Sequence, residues 1–107
     1  MKAALKDVSE ATSADLIAYL GKGRSSHPLA DADAVRSTCN SPEEVARRLT
    51  DVDLVLEVLS GLKPDWSANA DLVSAGQWAR KEMATRVPGL SKTALDALEW
   101  AFTWWWR

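Results

Sequence analysis

The sequence predicts an all-α fold: a compact irregular bundle of five or six short helices, forming one domain over residues 1–107. Three observations predict it. Alanine and leucine are frequent and β-branched runs are short, which favours helix over strand. Most prolines and glycines stand between apolar-periodic segments, where they act as helix punctuation. The chain has 107 residues, 47% hydrophobic and 26% charged, enough to bury a core without disulfides or a structural metal.

The elements follow in order. Residues 2–20 form a first helical stretch with Leu5, Val8, Leu16, Ile17 and Leu20 as its apolar stripe, and Ser13 is a candidate cap for a second piece of it. Gly21-Lys22-Gly23-Arg24-Ser25-Ser26-His27-Pro28 reads as a loop, because two glycines stop the helix and Pro28 keeps His27 out of helical geometry. A short helix follows over 30–37. Ser41-Pro42-Glu43-Glu44 is the sharpest local signal: a serine N-cap, a proline at the first helical position and an acid where a capping box needs it. That helix runs to Leu49. A restart at Thr50 or Asp51 then places Leu54, Val55, Val58, Leu59 and Leu62 on a wide apolar face that Gly61 closes. Ser67 is placed as the cap of a helix reaching Val87, in which Ala75, Gly76 and Ala79 permit close approach of a neighbour. After Pro88-Gly89, Ser91 caps the last helix, with Leu90 stapling to Leu95.

A faint internal repeat sets residues 30–49 against 68–87 at an offset of 38, matching Ala30, Ala32, Asp33, Val35, Glu44, Ala46 and Arg48 to identical residues. A duplicated helix-turn-helix-like unit would produce this pattern, and alanine-rich helices also produce it by chance.

Charge and composition restrict function. The net charge is −2, which argues against a nucleic-acid binder whose affinity comes from neutralising phosphates. No apolar run is long enough to span a bilayer and charge interrupts the N-terminus early, so the expectation is a cytoplasmic protein. Cys39 is the single cysteine, so no intramolecular disulfide forms. Between Asp31 and Asp71, nine acids stand against four bases, a local balance of −5, while the two ends together carry +3. Such a middle is either a set of solvated helix faces or a surface that steers a basic partner.

Several chemical motifs fail on their details. The glycine-rich loop has Lys22 followed by glycine, with no preceding strand, so it is not a phosphate-binding P-loop. His27 with Asp31 and Asp33 supplies too few convergent ligands for a metal and only a weak acid/base pair. Cys39 precedes a helix N-terminus but has no histidine near it in sequence. Residues 42–62 resemble the first half of a DNA-binding helix-turn-helix. The would-be reading helix, however, offers Asp53, Glu57 and aliphatics where arginine, asparagine or glutamine would read base edges. No cofactor or metal is called for.

The tryptophans remain. Four of the six lie between Trp100 and Trp106. On a helical wheel Leu95, Leu98, Phe102 and Trp105 share one face, the expected core stripe, whereas Trp100, Trp104 and Trp106 fall on flanking and opposite faces. These three are either buried in a central helix or anchors for a protein partner; a membrane-interface role is poorly served by so few cations. The expectation is therefore a non-enzymatic protein–protein interaction or regulatory module, of the immunity or antitoxin kind. It would engage a basic partner through Trp100, Trp104 and Trp106 together with Asp51, Asp53 and Glu57. The alternative is a small-molecule binder whose pocket is lined by Trp66, Trp78 and the C-terminal indoles.

Overall fold

A computed structural model describes residues 10–69 and 71–107. They form five helices: α1 (Glu10–Leu20), α2 (Ala32–Arg36), α3 (Pro42–Ser60), α4 (Leu72–Arg86) and α5 (Lys92–Trp105). There is no strand among the described residues, and no helix there is long and apolar enough to cross a membrane. The radius of gyration is 13.7 Å, in line with about 13 Å for a compact chain of this length. One continuous core joins Leu16 and Leu20 of α1, Val52, Val55 and Leu59 of α3, Ala75, Ala79 and Met83 of α4, and Leu98 and Phe102 of α5.

The helix starts follow the side-chain oxygens in the sequence. Asp31, Ser41, Asp71 and Ser91 each accept the backbone N–H three residues on, satisfying an orphan donor of the first turn. At α3 the reciprocal half of the box is displaced: Glu44 Oε1 accepts the N–H of Asn40, at 3.1 Å. Its other oxygen is thereby free to accept from Arg48, at 2.9 Å.

Three local expectations are corrected, and a fourth lies outside the described residues. Asp71, not Ser67, caps α4; Ser67 donates to Asp65 in the preceding turn. Ser13 does not start a helix but lies inside α1, where its buried hydroxyl accepts the N–H of Ser91 at 3.0 Å and ties α1 to the start of α5. The helical stretch expected over residues 2–9 lies outside the described residues. Finally, α3 does not restart at Thr50 or Asp51 but is one helix of 19 residues, since nothing there breaks the hydrogen-bond ladder. The turn that a DNA-reading helix-turn-helix requires is thus missing. The proposed repeat also meets unlike structure: residues 30–49 contain the break between α2 and α3, while most of 68–87 is the unbroken α4.

Two ion-pair clusters fix the packing. Arg48 of α3 donates to both oxygens of the buried Asp15 of α1, at 2.6 and 2.9 Å, and also to Glu44 and Thr38. Arg80 of α4 bridges Asp96 and Glu99 of the antiparallel α5. Closer to the helix ends, Gly76 abuts Thr103 so tightly that a Cβ there would stand 2.5 Å from the threonine methyl.

Helices α1 and α5 run side by side in the same direction from the Ser13–Ser91 bond. From that point α1 has seven residues left and α5 fourteen, so at 1.5 Å per residue α5 outruns α1 by about 10 Å. The tryptophan-rich end of α5 therefore projects past α1, beside the loop that begins at Gly21 (φ +75°).

Candidate functional site

The indoles occupy separate environments. Trp106 leaves helical geometry as the C-cap of α5, so the wheel no longer describes it. Its ring folds back onto Phe102 (centroids 6.1 Å apart) and meets Trp66 edge-on (6.2 Å), with Lys63 Nζ 6.0 Å above it. Trp104 is half-buried between the His27 ring at 6.1 Å and the Arg107 guanidinium at 4.1 Å. Trp100 packs partly against the core and lines a cavity of about 470 Å³ with Thr103, Leu72, Glu99 and Lys22. Trp78 packs against Phe102. Each of these indoles has an intramolecular aromatic or core neighbour.

Trp105 is the exception and a correction. The wheel puts it in the core stripe; in the structure it is 45% exposed, whereas Leu98 and Phe102 on the same stripe are fully buried. The stripe continues, but α4 covers the Thr103 side of the last turn and no helix buries the Trp105 ring. Trp105 instead forms one wall of an open groove of about 510 Å³ between the end of α1 and the outer face of α3. Tyr19, Leu20, Leu29 and Leu56 supply much of its remaining apolar lining, and Asp53 and Glu57 lie on its α3 side.

Asp53 and Glu57 are four residues apart, hence stacked one helical turn apart on one face. Both are exposed, and among the described residues neither takes part in an ion pair. Asp31, Asp33 and Glu44, by contrast, are matched to Arg24, Arg36 and Arg48. Of the acids from Asp31 to Asp71 without an ion pair among the described residues, Glu43, Asp51, Asp53 and Glu57 lie on α3, and Asp65 and Asp71 lie between α3 and α4. Burial, with the Asp53 carboxylate adding to it, raises the Tyr19 phenol above its ordinary pKa and keeps it a neutral hydrogen-bonding group across the physiological range. Asp51, two residues from Asp53, is partly buried and does not line the groove. The six expected partner-binding residues are therefore split: Asp53 and Glu57 share a surface, Trp100, Trp104 and Trp106 occupy separate environments, and the indole that joins the acids is Trp105.

The motifs that failed on sequence have structural occupations. Arg24 donates to the carbonyl of Ala18 at 2.7 Å and to Asp31 at 2.9 Å, closing the end of α1. Asp31 is thereby committed to Arg24 and to the α2 cap, and no His27–Asp31 pair forms. Cys39 is half-buried with Sγ 3.4 Å from the carbonyl oxygen of Val35. Among the described residues no three of His, Cys, Asp and Glu converge as a metal site. No protein-family model matches the chain, and no curated protein and no solved structure matches it.

Proposed function

We propose that this protein is a non-enzymatic interaction module, of the immunity or antitoxin kind, that binds a basic protein partner through the face formed by Trp105, Asp53 and Glu57. The observation that carries this reading is the exposed Trp105 ring in the same groove as two acids that have no ion-pair partner among the described residues. An indole left half in water beside unneutralised carboxylates gives a partner both buried apolar area and charge complementarity, the combination that characterises interaction hot spots. The acids speed and orient encounter, and the aromatic groove slows release.

The test is capture of a partner from lysate at low and at raised salt. A complex with the wild-type chain that weakens with salt, and that fails to form with the Asp53→Asn/Glu57→Gln double variant, supports the reading. A complex indifferent to both salt and the double variant contradicts it.

A further inference from the structure

The groove is specific enough to say which side chain of a partner it takes. The geometry points to an arginine, carried on a basic segment of the partner, with its aliphatic stem on Leu56 and its guanidinium between the Trp105 indole and the carboxylates of Asp53 and Glu57; this rests on the interaction reading given above. Two features select a long cation. The lining is apolar near Leu20, Leu29, Leu56 and Trp105, and negative only along α3, so an occupant needs a hydrocarbon stem ending in positive charge. Lysine and arginine both have that form. Two further features favour arginine. The exposed indole offers a face for a planar guanidinium to stack on, as the Arg107 guanidinium already does on Trp104 at 4.1 Å. Two carboxylates one turn apart present several acceptors, which suit the five-donor fork of arginine better than the point charge of an ammonium. Among the described residues Asp53 and Glu57 are the acids that line this groove, and neither has an ion pair there, whereas Asp31, Asp33 and Glu44 nearby already hold an arginine.

The experiment follows the indole N–H cross-peaks of the full chain by NMR, with the Trp105 peak assigned from Trp105→Phe. Three short capped peptides are titrated: one with two arginines, one with lysine in their place and one with citrulline, which keeps the shape and removes the charge. The arginine peptide is expected to move the Trp105 peak, to bind about threefold more tightly than the lysine peptide, and to bind about tenfold more tightly than the citrulline peptide. The Asp53→Asn/Glu57→Gln variant, whose changes are on an exposed helix face and leave the fold intact, is expected to lose the response. Lysine and arginine peptides that bind equally, both sensitive to the double variant, overturn the arginine assignment while the basic-partner reading stands. A Trp105 peak that moves with none of the cationic peptides overturns both.

Discussion

At the scale of single residues, exposure separates the indole and the core positions that share a stripe. Phe102 and Trp105 follow the same helical face, yet one is fully buried and the other 45% exposed. Truncating Phe102 to alanine removes core contacts and is expected to cost about 3–5 kcal/mol, read by denaturant unfolding. Trp105→Ala is expected to cost less than about 1 kcal/mol and to act on binding instead. Equal losses of stability from the two changes would place Trp105 in the core after all. The clamp between Arg48 and Asp15 has the opposite character. Both side chains are largely buried, and removing one leaves the other as a charge without its partner. Arg48→Ala is expected to destabilise the fold by about 3 kcal/mol. Unfolding free energy unchanged within error would show that the pair contributes no more than a surface bridge.

The limit of the sequence is also clearest at this scale. The capping residues Ser41 and Ser91 are legible because their signal is local. The partner of Arg48 is not, since Asp15 lies 33 residues away. Nor is the exposure of Trp105, because a wheel shows direction around an axis but not which neighbours cover that direction.

Among the elements, the antiparallel pair α4 and α5 depends on a glycine. Alanine at position 76 would gain about 1 kcal/mol of helix propensity. Its Cβ would, however, meet the Thr103 methyl at 2.5 Å, and a β-branched side chain whose hydroxyl is bound to the Trp100 carbonyl has little freedom to turn away. Gly76→Ala is therefore expected to be destabilising by about 1 kcal/mol net. In a Thr103→Ser background, where the methyl is gone, the same change is expected to be neutral or stabilising. Thermal melts of the four chains check this, and a higher melting temperature for Gly76→Ala alone would contradict it. The sequence marks Ala75, Gly76 and Ala79 as a close-approach surface, but identifying the partner helix requires the fold. The uninterrupted α3 is the element-scale failure of sequence reading: Thr50 and Asp51 look like a restart, yet the Thr50 hydroxyl donates to the Ala46 carbonyl within the same helix and the hydrogen-bond ladder runs through both positions.

For the whole molecule, the sequence-level fold class agrees with the described structure because periodicity and punctuation are averaged over many residues. The assembly of the site is a tertiary matter. Asp53 and Glu57 are visible as a helical-face pair in the sequence, but Trp105 joins them only through the packing that brings the ends of α1 and α5 to α3. Charge at this scale also sets the response to acid. Backbone N–H donation from Asn40, with Arg48 beside it, lowers the Glu44 pKa. Arg80 lowers that of Asp96, and the N–H of Ser74 lowers that of Asp71. A carboxylate whose pKa is depressed by folding adds stability above its unfolded value, near 4, and loses it as pH falls through the folded value. The melting temperature is therefore expected to be flat near neutrality and to fall below about pH 4. The Glu44→Gln/Asp96→Asn variant should lose less in acid than the wild type; an unchanged acid slope would contradict the assignment.

The central claim is that the functional indole is Trp105 and not one of its neighbours. Its most direct test compares Trp100→Ala, Trp104→Ala, Trp105→Ala and Trp106→Ala for the dissociation rate of the complex with the captured partner, each first shown to be folded. The structure predicts the fastest dissociation for Trp105→Ala with unfolding free energy near that of the wild type. Wild-type dissociation for Trp105→Ala, alongside a larger loss at Trp100, Trp104 or Trp106, would contradict the account.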